Sequence, residues 1–351
     1  MVTPAPSGVS TIGFEATIGD LVASTDGADA NIALRSLRTS LGMGQMGAAV
    51  LELGPFGVRA PSAGDPVRVS LDVGEGSTLV FTGEVGIVQA STLGLRIVAD
   101  TPLARLARMD VEAAFEGQNL AAIAADLLDR AGLEKGKIAE GPVFGSYILR
   151  RGPRAWRHLL NLAELCGLDL WCDPEGKVQL QAPADVQGDR IFSWGVDLLE
   201  LELRRGPLYP DGVVAWGEGA ASSKGQDRAH WLPVDLGPVE ATAAVEEEKG
   251  ELSAKPGAKS DAPRHLRCAA LRSGEAVKAA ALGVAKARAA RPLAGFVRVP
   301  GALDLSPGMG ILIKDLPEDH GLVSFTTNPL RLRAVHHWLD AASGLYTRLE
   351  V

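Results

Sequence analysis

Gly295-Phe296-Val297-Arg298-Val299-Pro300-Gly301, Leu305-Ser306-Pro307-Gly308-Met309-Gly310-Ile311-Leu312-Ile313, Leu332-Arg333-Ala334-Val335-His336-His337-Trp338-Leu339-Asp340 and Gly344-Leu345-Tyr346-Thr347-Arg348-Leu349-Glu350-Val351 follow one another at the end of the chain. Each piece alternates residue character and is bounded by Gly or Pro, the pattern of a short strand half-buried on one face. Several such pieces in so short a stretch predict a small β-barrel.

Working outward, the opposite end of the chain has the same texture. Alternating runs occur at Ile32-Leu34-Leu37, Ala48-Val50-Leu51-Leu53, Val67-Val69-Leu71, Leu79-Phe81 and Leu95-Ile97-Ala99. Gly54-Pro55, Gly64-Asp65-Pro66 and Gly74-Glu75-Gly76 supply turns between them. The middle of the chain differs. Leu120, Ile123, Ala124, Leu127 and Ala131 recur at helical spacing, with Gly132 to stop the helix. Trp156, Leu159, Leu160, Ala163 and Cys166 share a second helical face, with Pro153 placed for the first turn and Gly167 ending it. Strands return at Ile191-Phe192-Ser193-Trp194, Leu199 to Leu203 and Val213 to Gly217.

The expected fold is therefore mainly β with an α+β insert: two small β-barrel domains, a central α/β domain and an Ala-rich helix near the C-terminal barrel. The expected boundaries are 1–110 for the first barrel, 111–190 for the insert and 191–351 for the second barrel. Within the last, residues 218–262 read as polar loops and 275–290 as the helix, closed by Arg291-Pro292.

Composition narrows the function. At 351 residues, more than one core is expected. The 41 glycines and 21 prolines suit frequent turns between short strands. A formal charge of -8 argues against a protein that grips phosphates through a basic stripe, so no specific nucleic-acid binding is expected. Cys166, Cys172 and Cys268 are an odd set with no CxxC pair and read as buried free thiols. The start of the chain lacks a basic, then apolar, leader, and no apolar run reaches the ~20 residues of a membrane helix. Synthesis and folding in a cytoplasm without stable membrane insertion is the expectation.

Motifs of catalysis are sparse. Gly42-Met43-Gly44-Gln45-Met46-Gly47-Ala48 satisfies the dinucleotide fingerprint, which needs an apolar parallel strand before it and a helix after it. The preceding Arg35, Ser36, Arg38, Thr39 and Ser40 are too polar for such a strand, and a glycine-rich hairpin is the favoured reading. Gly132 to Lys137 falls short of a P-loop and has Ile138 where Ser or Thr should hold magnesium. His336 and His337 are adjacent on a strand, point to opposite faces and cannot share one metal. No catalytic, cofactor-binding or metal-binding residue is assigned, no cofactor is expected, and the chain reads as a non-enzyme. The alternatives are a cell-wall-degrading enzyme with a concealed carboxylate pair, a dinucleotide-binding enzyme through Gly42–Gly47, and a wall-binding β module.

Three stretches carry a resemblance. Pro307-Gly308, Val335-His336 and Gly344 to Leu349 stand where the phage late-control gene D family, the tail and baseplate hub proteins, closes its second barrel. Gly64 to Val69 followed by Phe81-Thr82-Gly83-Glu84-Val85 is similar to that family's first barrel. Tyr147-Ile148-Leu149, Trp156 to Leu168, Leu170-Trp171 and Asp173 to Lys177 resemble its central insert. The resemblance implies a structural protein of a bacteriophage tail or contractile injection system. It implies a homotrimer whose two barrels per chain make a ring of pseudo-sixfold symmetry, joining a sixfold tail tube protein to a threefold spike. Other baseplate proteins are further implied partners. The chain ends at Val351, straight after its last strand, so the spike is expected to be a separate protein.

Overall fold

Residue alternation carries directly into the observed strands. In Gly94–Asp100 the side chains of Leu95, Ile97 and Ala99 are buried while Arg96 is exposed, so one face meets a core and the other does not. The computed structural model describes residues 12–27, 29–54, 59–219, 238–248 and 251–351.

One sheet dominates. Its eleven strands are β1 (Gly13–Ile18), β2 (Leu21–Ser24), β3 (Leu34–Gly42), β4 (Ala48–Leu53), β5 (Pro66–Asp72), β6 (Thr78–Ser91), β7 (Gly94–Asp100), β14 (Glu200–Arg204), β19 (Ala294–Pro300), β22 (Ala334–Asp340) and β23 (Gly344–Glu350). Across the sheet they run β14-β19-β23-β22-β3-β4-β7-β6-β5-β1-β2. Four smaller sheets hold the rest. They are β8 (Ala113–Asn119) with β10 (Val143–Leu149), and β9 (Lys135–Ile138) with β12 (Val178–Gln181) and β11 (Asp169–Cys172). The third is β13 (Arg190–Ser193) with β20 (Gly310–Lys314) and β21 (Leu330–Arg331). The fourth comprises β15 (Gly212–Glu218), β16 (Pro238–Glu248), β17 (Glu251–Pro256) and β18 (Pro263–Arg267).

The chain is mainly β, as its patterning predicts, but the strands do not close into two barrels. β22 pairs with β3 over Ala334↔Gly42 to Asp340↔Ser36, fusing the halves into one open sheet. Alternation reports that a strand is half-buried and is silent on which edges meet. Two cores lie on this sheet. One gathers Ile18, Leu37, Leu51, Val69, Phe81 and Ile97; the other gathers Phe192, Val297, Val299, Ile311, Val335 and Leu349.

A third core holds the helices α1 (Ala104–Arg108), α2 (Leu120–Arg130), α3 (Ala155–Leu165) and α4 (Gly274–Ala289). Asn119 caps α2 by accepting from Ala122 N–H, and Gly132 follows the helix with φ 63. α3 starts at Ala155 with Arg154 as its cap residue, so Pro153 lies just outside the helix rather than in its first turn. Leu159 and Leu162 are fully buried, each burial stabilising by about 1.5–3 kcal/mol.

The Ala-rich α4 joins this core and packs on β16, β15 and β17 rather than against the C-terminal strands. It also comes close to the end of α3, where a Cβ at Gly283 would lie within 2.3 Å of Cys166 O. Of residues 218–262, read as loops, 220–237, 249 and 250 lie outside the described residues. Strands β16 and β17 occupy most of the remainder. Their Glu246, Glu247 and Glu248 are exposed, whereas Ala243, Ala244 and Val245 are buried, Ala243 and Val245 within the core that holds α4. Polar residues there mark the uncovered end of a hairpin and not a loop.

Candidate assembly surface

Four strands of the large sheet repeat. In chain order β3, β4, β6, β7 lie side by side as β3-β4-β7-β6; in chain order β14, β19, β22, β23 lie as β14-β19-β23-β22. Both sets therefore place their first, second, fourth and third strands in that spatial order. Each ends in a tight hairpin, with Ser91 opposite Gly94 in one and Asp340 opposite Gly344 in the other.

Superposing Gly94 on Gly344 aligns Gly94-Leu95-Arg96-Ile97-Val98-Ala99-Asp100 with Gly344-Leu345-Tyr346-Thr347-Arg348-Leu349-Glu350. Following the registers outward makes Val50 equivalent to Arg298, Arg38 to Glu200 and Gln89 to Trp338.

The repeats meet where β22 pairs with β3. On the core side Leu339 faces Leu37, His337 faces Thr39 and Val335 faces Leu41. His337 is fully enclosed and its Nδ1 lies 2.9 Å from Thr347 Oγ1. Burial, then the neighbouring His336, pulls its pKa down to about 4, so the ring is neutral at pH 7. On the other side Asp340, Trp338 and His336 face Ser36, Arg38 and Ser40. The two histidines do point to opposite faces, and His336 Nε2 lies 3.4 Å from Glu350 Oε1.

That outer face differs between the repeats. On the second, Trp338 stacks on Tyr346 at 5.1 Å with planes 9° apart. Arg298 lies over Tyr346 at 4.1 Å and Arg348 over Phe296 at 3.8 Å. Such guanidinium–ring pairs contribute roughly 0.5–1 kcal/mol each when exposed. The equivalent places on the first repeat carry Gln89, Arg96, Val50, Val98 and Ala48.

Among the described residues, the paired repeats leave an uncovered edge at each of their outer ends, and β2 ends the sheet beyond them. β14 pairs with β19 on one side and ends the sheet on the other. β6 is long: Thr78 to Glu84 pair with β5, Val85 bonds to Gly64 and Asp65, and Glu84 to Ser91 pair with β7. Among the described residues, no strand covers Ile87 to Ser91 on the side away from β7. Apolar side chains stand exposed beside both edges, Ile87 at 61% and Leu199 at 57%.

One buried carboxylate joins the helical core to the small sheet of β13, β20 and β21. Asp169 at the start of β11 accepts from Arg291, just after α4, and from Arg331 of β21 at 2.7 Å. A cleft of about 1000 Å³ opens beside it, lined in part by Arg205, Arg291, Arg331 and Arg333. Desolvation, with Arg291 and Arg331 close by, holds the Arg333 guanidinium below its ordinary pKa.

The dinucleotide alternative is overturned by the hairpin that carries it. Gly42 to Gly47 connect antiparallel β3 and β4, a strand follows where a helix would be needed, and Gly44 N–H donates to Leu170 O. Cys166, Cys172 and Cys268 are free thiols; burial pushes the first two up to about 12. Among the described residues, no group of three His, Cys, Asp or Glu could hold a metal ion, and no helix is long and apolar enough to cross a membrane. Which strands present open edges escaped the reading of the sequence. The matching Gly-Leu starts and acidic ends of the two hairpins were the available signal.

No protein-family model matches the chain. No curated protein matches it either. Solved structures do. The 43 kDa tail protein of prophage MuSo2 from Shewanella oneidensis is 15% identical with a TM-score of 0.66, covering 97% of this chain and 98% of that one. A tail protein from Neisseria meningitidis is 14% identical with a TM-score of 0.65, covering 97% and 95%. An Escherichia coli component of the type VI secretion system, described as structurally similar to bacteriophage T4 tail proteins, is 11% identical with a TM-score of 0.55, covering 95% and 75%. Along nearly its whole length, this chain has the fold of phage tail proteins.

Proposed function

We propose that the chain is a structural hub of a phage tail or a related contractile injection particle, acting through assembly and not catalysis. Three copies form a ring in which six four-strand repeats imitate sixfold symmetry. Such a ring meets a sixfold tail tube on one side and a threefold spike on the other. Further baseplate proteins contact its periphery, and assembly takes place in the bacterial cytoplasm. The observation that supports this reading best is the duplication: one polypeptide carries the same strand order twice, and the two sets join edge to edge. A cyclic oligomer needs each copy to present two different, complementary faces, which a sheet with two unlike open edges supplies.

Light scattering on the purified chain, alone and mixed with the tube and spike proteins of the same particle, tests the reading. The expected mass is three chains. A single-chain mass in every mixture, or particles whose electron micrographs lack the protein at the tube–spike junction, overturns it.

A further inference from the structure

The hub reading leaves the cleft beside Asp169 without a role. We infer that this cleft docks an acidic, extended polypeptide segment of a partner protein, whose carboxylates are held by Arg333, Arg331 and Arg205. The inference goes beyond the hub reading and is tested on the isolated chain, so the two fail separately.

The balance of charge carries the argument. Asp169 accepts from Arg291 and Arg331. Arg333, in the same cleft, has no side-chain hydrogen bond or ion pair among the described residues. Glu350 also acts on Arg333, but its Oε1 lies 3.4 Å from His336 and 3.8 Å from Arg348. Three guanidinium groups thus gather around one buried carboxylate. The Arg331 side chain is only 10% exposed, and its Nε, like that of Arg291, is buried with no hydrogen-bond partner among the described residues. Buried donors left unmade are unfavourable, and so are crowded like charges. Desolvation, then the two neighbouring arginines, holds Arg333 below its ordinary pKa, as expected of a cation short of a counter-ion. An anion brought from outside relieves all of these at once.

The kind of anion follows from the rest of the lining. At about 1000 Å³ the cleft far exceeds what one inorganic ion fills. Its walls between the arginines include Leu208, Leu293, Phe325 and Leu330. Arg205, exposed, lies over the Phe325 ring at 5.6 Å, so a cation and an apolar surface stand side by side. Asp185 and Glu247 also line the cleft. These carboxylates repel an unbroken row of phosphates, yet they accept from peptide N–H groups. A strand that alternates acidic and apolar side chains matches such walls. Planar guanidinium groups are suited to carboxylates through paired N–H donors.

Fluorescence anisotropy with a labelled, end-blocked Glu-Leu-Glu-Leu-Glu peptide tests the site, with Gln-Leu-Gln-Leu-Gln as the uncharged control. The acidic peptide is expected to bind and the control to stay free. Arg333→Gln and Arg205→Gln are each expected to weaken binding roughly tenfold, the loss of one charge-assisted hydrogen bond. Neither substitution breaks an ion pair among the described residues, so the Arg333→Gln chain is expected to melt no lower than wild type. A clearly lower melt would make Arg333 a structural residue and overturn its role as a ligand-holding group. No binding of the acidic peptide, or equal binding by wild type and both variants, overturns the site. Tighter binding of tripolyphosphate or oligothymidylate than of the peptide, weakened by the same substitutions, overturns the peptide in favour of a phosphate-bearing ligand. None of these outcomes depends on whether three chains assemble.

Discussion

Gly94 and Gly344 stand at the same point of two copies of one hairpin, each the first residue after the turn and each with positive φ, 137 and 69. Their surroundings differ. A Cβ on Gly94 would come within 2.1 Å of Leu53 O, whereas on Gly344 its nearest neighbour is Ile12 Cδ1 at 3.8 Å. Gly94→Ala is expected to cost about 3 kcal/mol, combining backbone strain with displacement of β4, and Gly344→Ala about 1 kcal/mol. Denaturant midpoints of the two variants check the order; equal losses would mean that β4 yields freely.

Asp169 is the sole carboxylate hydrogen-bonded to both Arg291 and Arg331 among the described residues, and its side chain is 2% exposed. Asp169→Asn keeps the shape and removes the charge, leaving the Arg331 side chain, 10% exposed, without its counter-ion. Breaking a buried pair from one side costs roughly 3–5 kcal/mol. Urea unfolding followed by tryptophan fluorescence is expected to show a loss of that size. A loss below 1 kcal/mol would mean that water from the adjacent cleft already screens the pair.

His337 sets an acid limit on stability. Its folded pKa of about 4 lies below the unfolded value of 6.5, so the unfolded chain takes up a proton first. The stabilisation from keeping this ring neutral is complete above pH 6.5 and is lost as pH falls toward 4, amounting to roughly 3 kcal/mol at the limit. Burial lowers His336 as well, with Glu350 opposing, and that group acts with the same sign. His337→Gln, which can still bond Thr347, is expected to flatten the decline between pH 7 and pH 5. Parallel declines in wild type and variant would assign the acid sensitivity to other groups.

Much of the architecture was legible because alternation and helical spacing are local. Leu95-Ile97-Ala99 announces a half-buried strand, and Leu120, Ile123, Ala124 and Leu127 announce one helical face, whatever lies elsewhere. Closure was not legible. Whether β22 meets β3 or folds back on its own half depends on contacts between residues some three hundred positions apart, and no local pattern encodes that choice. The Glu246–Glu248 run misled because three successive exposed residues look like a loop, although backbone pairing with Ser253, Leu252 and Glu251 carries the strand through them. The assembly surface was the least legible of all. An open edge consists of backbone groups, identical in every residue, and betrays itself through neighbours such as Ile87 and Leu199 only after the sheet is known.

Tethering two repeats in one polypeptide has a consequence for decoration. Mutations can accumulate on one repeat without touching the other, and the Trp338–Tyr346–Arg298 carpet is such a case, since its counterpart surface is Gln89, Arg96 and Val50. Any closed arrangement of these chains must therefore show alternating sectors, aromatic and cationic, then plain. A rotor-like partner could tell every second position from the next, a distinction that identical single-repeat subunits cannot offer.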